Sequence, residues 1–261
     1  MVEVSPAEQL GLAINQLGQR QPLSVGEALA WQANAGGEVG RGVRPPLALV
    51  WRAQRTLIVT RREARLANFA AVSRVMAEEG WPVHIRESGG GAFPVGPGTV
   101  MLTLLLPRDD KHSLEVLYAT LSAPILSMLG SYRVAASVDA VPGSFCSGRH
   151  DIAVAGRKIG GMAQRWSGGG GRGFAMASAA VIVDEDPEEL SATVNRFYAR
   201  CGVQTRCNSG AVTSLCRQLS PVNVGVSLER AAMETLVRCI DATSIETAFA
   251  GLSRSHQTHS A

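Results

Sequence analysis

Lysine is scarce in this chain of 261 residues, and one lysine stands in an unusual context. Of the 25 basic residues only Lys111 and Lys158 are lysines. Lys111 lies in the polar stretch RDDKHS, whereas Lys158 follows a predicted apolar strand in AGRKIGG. A buried ammonium group without a partner is costly, so Lys158 is expected to face an anion. The carboxylate of Asp151, in a structural ion pair, and the phosphate of a ligand are both candidates, and the residues alone leave both open.

Three consecutive glycines, Gly89 to Gly91, follow a predicted strand in the segment RESGGGAFPVGPG. Glycine lets backbone N–H groups approach a ligand closely, and successive N–H groups can form an anion-binding concavity. The segment is not a P-loop, because GKS or GKT is absent, and no helix is predicted after it, as a dinucleotide-binding fingerprint would require. It therefore predicts either a ligand-binding loop or a flexible turn.

Five cysteines, an odd number without a CxxC motif, predict neither a disulfide framework nor a metal site and favour a reducing, cytoplasmic location. Cys146 precedes the Lys158 hairpin, and Cys207 precedes the sequence AVTSL. A cysteine nucleophile needs a nearby cation to hold it as a thiolate, and Arg149 or Lys158 could supply that charge. The alternative is that both cysteines are small, inert core residues.

The spacing of apolar residues predicts an α+β protein. Predicted strands come in runs and do not alternate strictly with helices, which indicates a mixed, largely antiparallel sheet flanked by helices. Strands are expected in LALVW, TLIVT, PVHIR, TVMLTLLLP, the hairpin IAVAGRKIGG, and FAMASAAVIV. Helices are expected within residues 1–20, 25–33, 67–79, 113–129, 188–198, 211–219 and 228–249, with a loop over residues 34–46.

The composition favours one domain with no membrane or nucleic-acid role. Residues 1–250 are expected to form a single domain and residues 251–261 a disordered tail, with no separate C-terminal accessory domain. No run of about 18 apolar residues occurs, which argues against a membrane span. A net charge of +3 with scattered arginines argues against a nucleic-acid partner.

Several motifs occur in an order that resembles a known family. SGGGA at residues 88–92 is followed by SGRHDI at 147–152, GRKIGGMAQ at 156–164 and AVTSL at 211–215. With its motifs in this order, the chain resembles lipoate–protein ligases and their octanoyltransferase relatives over roughly residues 25–240. The pair of SGGGA and GRKIGG is the more specific part of the resemblance.

The resemblance implies a biotin/lipoate ligase-like catalytic domain with an acyl pocket under the glycine loop. In the ligases, ATP with Mg²⁺ and lipoate or octanoate form an acyl-AMP. The acyl group then passes to a lysine of an acceptor domain, either in a 2-oxoacid dehydrogenase or in a glycine-cleavage protein. By motif position, Lys158 would contact the acyl carbonyl oxygen and the phosphate, where its charge stabilises the developing oxyanion. The ligand-binding residues implied in the same way are Arg86, Ser88, Gly89, Gly90, Gly91, Ala92, Gly98, Thr99, Arg149, Asp151, Gly160, Gly161 and Ala163.

The sequence also departs from the ligase motifs. Glu87 stands where the ligases have the second of two arginines, and His150 replaces the Asn of SGRND. Two alternatives to a ligase therefore stay open. One is an ATP-independent octanoyl or lipoyl transferase that takes the acyl group, for instance from acyl carrier protein, onto Cys146 or Cys207 as a thioester. The other is a non-catalytic relative that binds lipoate or another acyl group.

Overall fold

The computed structural model describes residues 13–17, 21–108, 113–168, 173–219 and 227–242, to which all that follows refers. The strands are β1 (Ala13–Leu17), β2 (Leu47–Arg52), β3 (Thr56–Thr60), β4 (Val83–Arg86), β5 (Phe93–Val95), β6 (Thr99–Pro107), β7 (Ser137–Asp139), β8 (Asp151–Val154), β9 (Arg157–Ser167) and β10 (Phe174–Ile182). The α-helices are α1 (Val25–Gly40), α2 (Phe69–Glu78), α3 (Leu114–Ser131), α4 (Pro187–Arg200), α5 (Leu215–Gln218) and α6 (Leu228–Ala242).

These strands form two sheets, one of seven strands in the order β1-β2-β6-β10-β9-β8-β7 and one of three in the order β4-β3-β5. Neighbouring strands are antiparallel except for β1 with β2 and β3 with β4. Parallel neighbours need a crossover connection, and α1 and α2 lie in the two connections. The predicted class, mixed and largely antiparallel sheets flanked by helices, is confirmed.

The large sheet is buried on both faces, which explains the nearly unbroken apolar run of β6. On one face, residues such as Val50 and Leu102 pack against α3 and α6. On the opposite face, the alternate residues Trp51 and Met101 pack in a second core with residues of α1, α2, α4 and the small sheet. The large sheet therefore separates two cores, one formed with α3 and α6 and the other on the side where the small sheet lies.

Helix α3 is the single helix in the described ranges whose length and hydropathy would suffice to cross a membrane. It begins after Ser113, whose hydroxyl accepts the N–H of Val116. Its residues Leu117, Leu121 and Ile125 recur at helical spacing and lie in the core. This burial is typical of the central helix of a globular domain.

Two predictions near the N-terminus are wrong. Residues 13–17, inside the predicted helix 1–20, form β1, because so short an apolar segment fits a strand as well as a helix and pairing with β2 decides between them. The rest of that predicted helix lies outside the described residues. Helix α1 runs to Gly40, into the predicted loop 34–46, because its face of Ala35, Gly36 and Val39 is buried. This packing outweighs the low helix propensity of its glycines.

The predicted helix 211–219 is also wrong over much of its length. A short 3₁₀ turn (Ser209–Ala211) leads into extended backbone, and only Leu215–Gln218 form a helix. Val212 makes a parallel bridge to Lys158, and the N–H of Thr213 donates to the Lys158 carbonyl at 2.8 Å. The predicted helix 228–249 begins at Leu228 and is described to Ala242, while residues 243–249 and the predicted tail 251–261 lie outside the described residues.

Candidate active site

A cavity of about 320 Å³ lies between α1, the small sheet and one face of the large sheet. Five of the residues that the sequence motifs singled out line it, namely Arg86, Ser88, Cys146, Gly161 and Ala163. They come from the end of β4 and the glycine loop after it, from the loop before β8 and from β9. The cavity therefore brings together segments that lie up to 77 positions apart, between Arg86 and Ala163.

The thiol of Cys146 sits in the cavity wall among N–H donors. The N–H of Gly91 donates to Sγ at 3.1 Å, and Nη2 of Arg86 lies 3.5 Å from the same atom. Such donors stabilise negative charge that develops on sulfur, as a nucleophile requires. Cys146 also has a left-handed backbone with φ of 47°, a conformation that non-glycine residues keep only where the surrounding structure imposes it.

Lys158 holds the loop that carries Cys146. Its side chain is fully buried, and Nζ donates to the carbonyls of Phe145 at 3.0 Å and Cys146 at 2.9 Å and to Oδ1 of Asp151 at 2.8 Å. An ammonium group has three N–H donors, so these contacts use all of them. The second oxygen of Asp151 accepts the N–H of Gly148 at 3.1 Å, which ties down the other end of the loop. Of the two predicted anions, the structure places Asp151 against Lys158.

The hairpin directs Lys158 inward through a shift in strand register. Ile152 pairs with Gly160, whereas the next residue, Ala153, pairs with Lys158, so one residue of β9 bulges out of the ladder. A bulge re-aims the side chains beside it. Gly160 leaves room for this backbone path, since a Cβ there would lie 2.7 Å from the carbonyl oxygen of Ala180.

Arg86 closes the glycine loop over the thiol. Its Nη2 donates to the carbonyls of Gly89 at 2.9 Å and Gly91 at 3.1 Å. Gly90 has φ of 111°, and a Cβ at this position would lie 2.6 Å from Nη2 of Arg86 and 2.9 Å from Sγ of Cys146. Only glycine therefore fits where the loop passes the sulfur.

Tyr198 and Glu63 anchor the end of the glycine loop. The N–H of Ala92 donates to Oη of Tyr198 at 3.1 Å, and this hydroxyl donates to Oε1 of Glu63 at 3.2 Å. Burial raises the pKa of Tyr198 to about 12, so the hydroxyl keeps the proton that it donates. Burial alone would raise the pKa of Glu63, but hydrogen bonds from Thr60 and Arg62 lower it below its ordinary value. Sequence reasoning missed both anchoring residues, because they carry no local motif.

Replacing Tyr198 by phenylalanine is expected to loosen the glycine loop. The change leaves the N–H of Ala92 and the carboxylate of Glu63 without this hydroxyl, which costs about 1–3 kcal/mol of unfolding free energy. Urea denaturation measures that loss, and hydrogen exchange should show a faster-exchanging Ala92 amide. Tyr132→Phe, at the end of α3, is the matched control; equal behaviour of the two variants would refute the anchoring role.

Cys207, the second candidate nucleophile, lies beside α4 and is held as a structural residue. The side chain of Asn195 accepts its N–H at 2.8 Å and donates to its carbonyl at 2.9 Å. The thiol donates to the carbonyl of Ser191 at 3.4 Å. Burial raises the pKa of the Cys207 thiol, which disfavours the thiolate. These hydrogen bonds and the raised pKa favour a neutral, structural thiol at Cys207 and not a nucleophile.

Three other predicted ligand residues, Gly98, Thr99 and Arg149, are not among the residues that line the cavity. The N–H of Gly98 donates to Glu185 at 2.7 Å, and Thr99 Oγ1 accepts the N–H of Gly96 at 3.2 Å, so both residues shape the turn into β6. Arg149 is exposed. Within the described ranges no group of three His, Cys, Asp or Glu side chains could hold a metal ion.

Sequence reasoning missed most of the cavity wall. Residues of α1 and of the inward sheet face line it, among them Leu29, Gln32, Trp51, Thr103 and Ser178. The alternation of side chains along β2, β6 and β10 shows which residues share a face of the sheet. No local sequence pattern shows which of the two buried faces borders a cavity.

Solved structures with a similar fold include lipoate-protein ligase A bound with ATP, with a TM-score of 0.60 and 17% identity over 88% of this chain and 83% of that one. The bipartite lipoate protein ligase of Thermoplasma acidophilum, studied with its E2 lipoyl domain, gives a TM-score of 0.57 and 18% identity over 88% and 82%. These similarities define the lipoate-ligase type of fold for this chain.

Sequence comparison assigns the family. Residues 24–235 match the lipoyl protein ligase A/B catalytic domain. An octanoyl-[GcvH]:protein N-octanoyltransferase of Kyrpidia tusciae is 33% identical over 223 residues, which cover 83% of this chain and 76% of that protein. A lipoyl-[GcvH]:protein N-lipoyltransferase of Listeria monocytogenes is 24% identical over 63% of this chain and 58% of that protein. The chain belongs to the lipoyl protein ligase A/B catalytic-domain family and is an enzyme of lipoyl or octanoyl transfer.

Proposed function

We propose that this enzyme transfers an octanoyl or lipoyl group without ATP and carries it as a thioester on Cys146. The observation that carries the proposal is the position of the Cys146 thiol, which lies in the wall of a largely apolar cavity and accepts the N–H of Gly91. An apolar cavity suits an acyl chain, and a donor-surrounded sulfur suits a nucleophile. This choice favours the thioester alternative over the acyl-AMP ligase.

The proposed reaction exchanges one amide for another in two steps. Sγ of Cys146 attacks the carbonyl carbon of the amide that joins the acyl group to a lysine of the donor. The C–S bond forms, the C–N bond breaks, and the thiol proton leaves with the lysine amine. The lysine amine of the acceptor then attacks the thioester, the new C–N bond forms, the C–S bond breaks, and a proton from the attacking amine returns to the sulfur. Arg86 and the Gly91 N–H stabilise the sulfur while it carries negative charge.

Two features of the site argue against a phosphate-bearing intermediate. All three N–H donors of Lys158 are engaged within the protein, so none is free for an adenylate. At the cavity wall, Glu87 bonds to Arg61 and lies 3.5 Å from Arg165, and the bond to Arg61 lowers the pKa of its carboxyl. A carboxylate there repels phosphate and neutralises two arginines that could have bound it. The residues therefore do not fit ATP with Mg²⁺.

The names of the relatives suggest the partners. Several are named as octanoyl or lipoyl transferases that act with GcvH, the glycine-cleavage protein. We place octanoyl- or lipoyl-GcvH as the donor for this chain, with a lipoyl domain of a 2-oxoacid dehydrogenase as the acceptor. An acyl-carrier-protein donor is the alternative that the same experiment can detect.

The test incubates the purified protein with octanoyl-GcvH in the absence of ATP. An octanoyl adduct is expected by intact mass, and peptide mapping should place it on Cys146. Hydroxylamine, which cleaves thioesters, should remove it. If the adduct forms only with octanoyl-acyl carrier protein, that protein takes the place of GcvH as the donor. An acyl transfer that requires ATP and leaves no adduct on the protein would contradict the proposal.

A further inference from the structure

Polar groups interrupt the apolar wall of the cavity. The Thr103 hydroxyl of β6 lies 3.4 Å from Oε1 of Gln32 on α1 and 3.3 Å from the Ser178 hydroxyl on β10. The indole of Trp51 on β2 adds a further polar atom to the same wall, and all four residues line the cavity. An apolar chain alone gives no reason for such a group in a binding pocket.

Two atoms of these four residues have no hydrogen-bond partner in the part of the chain that the structure describes. They are Nε2 of Gln32 and Nε1 of Trp51, on residues that are each 1% exposed. Turning the Gln32 amide over would give its N–H to Thr103 but would leave its oxygen without a donor, so one amide atom stays unpartnered in either orientation. Buried polar groups are normally paired, and a bound ligand can supply the missing partner.

Strand register places Thr103, the neighbour of Gln32, two strands from β9 and Trp51 three strands from β9, the strand that carries Lys158. Gly161 marks the thiol end, because a Cβ there would lie 3.3 Å from Nζ of Lys158, which bonds the Cys146 carbonyl. Gly161 pairs with Ala180, Ala180 with Met101, and Met101 with Trp51. Three strand spacings of about 4.8 Å put Trp51 roughly 14 Å across the sheet from Gly161.

Gln32 and Trp51 therefore lie toward the end of the cavity that the far half of an acyl chain attached to Cys146 would reach. We infer that the site recognises an acyl group with a hydrogen-bond acceptor near its distal end, which is the dithiolane sulfur of lipoyl and is lacking in octanoyl. This inference rests on the proposed function. Sulfur is a weak acceptor, but it offers the buried N–H groups a partner that a methyl end cannot. A saturated chain would leave both donors dehydrated and unpaired.

The test compares lipoyl-GcvH with octanoyl-GcvH as donors and follows the Cys146 thioester by rapid quenching and intact mass. Lipoyl loading is expected to be about fivefold to tenfold faster, the effect of roughly one hydrogen bond. Gln32→Met keeps the length of the side chain but removes its amide, and it should bring the ratio of the two rates close to one. Trp51→Phe, which keeps a ring and removes the N–H, is an independent second variant with the same expected direction.

Met101→Leu is the matched control, because it alters the same wall without removing a hydrogen-bond donor. It is expected to change both rates together and to keep the ratio of the unaltered protein. Octanoyl loading as fast as lipoyl loading in the unaltered protein would overturn the inference, as would a ratio that neither Gln32→Met nor Trp51→Phe lowers. No thioester with either donor would instead overturn the proposed function and this inference with it.

Discussion

Cys146→Ser is expected to abolish the acyl adduct and to slow acyl transfer by roughly a thousandfold or more, as removal of a covalent nucleophile does in other enzymes. A serine hydroxyl in the same place is a far weaker nucleophile, and the two described groups that bond the side chain of residue 146, the Gly91 N–H and Arg86, are donors that cannot take its proton. The measurement follows transfer from octanoyl-GcvH to a lipoyl domain by mass. The variant should remain folded, because the change replaces one half-buried sulfur by oxygen.

The matched control for this experiment is Cys207→Ser. Cys207 lies beside α4 with Asn195 and Ser191, outside the cavity wall that carries Cys146. Transfer by this variant is expected to stay within a few-fold of the original rate. The assignment of Cys146 fails if its serine variant transfers at the original rate, or if the adduct maps to Cys207.

Lys158→Met is expected to have the second-largest effect and to act on both stability and transfer. Removing one partner of a buried ion pair leaves an uncompensated charge, here on Asp151, and costs about 3–5 kcal/mol. The carbonyls of Phe145 and Cys146 lose their donor as well. The loop that holds the thiol should then leave its place under the glycine loop. Urea denaturation and the rate of thioester formation measure the two consequences.

The double variant Lys158→Met with Asp151→Asn separates the two consequences. Without the charge on residue 151, part of the lost unfolding free energy should return. Thioester formation should stay slow, because the carbonyls before and at Cys146 still lack the donor that positions them. Full recovery of the rate in the double variant, or an unchanged unfolding free energy in Lys158→Met, would show that Lys158 does not position this loop.

Local signals in the sequence were enough for much of the architecture. LALVW, TLIVT and TVMLTLLLP form strands as predicted, because their β-branched and apolar residues fit strands whose side chains are buried on both faces. The glycine loop and the Lys158 hairpin were also recognisable, because three glycines follow a predicted strand and one of only two lysines lies between an apolar strand and small residues. Five of the residues that these motifs singled out line the cavity, and their roles as ligand-binding or catalytic residues stay predictions.

What the sequence could not supply depends on contacts between distant residues. The choice between Asp151 and a ligand phosphate as the partner of Lys158 needed the register of β8 and β9, including its bulge. The difference between Cys146 and Cys207 needed the neighbours of each thiol, which are Gly91 in one case and Asn195 in the other. The strand at residues 13–17 formed because β2 was available to pair with it, and no local pattern records that.

The Cys146 thiol is expected to become reactive only after distant parts of the chain have folded. Its environment is completed by Arg86, Lys158 and Tyr198, so more than a hundred positions of chain must fold before the nucleophile is in place. Contacts so distant along the chain form late, because loop closure must precede them. Secondary structure should therefore return during refolding before the cysteine becomes reactive, and a nascent chain should stay inert until its α4 segment has emerged.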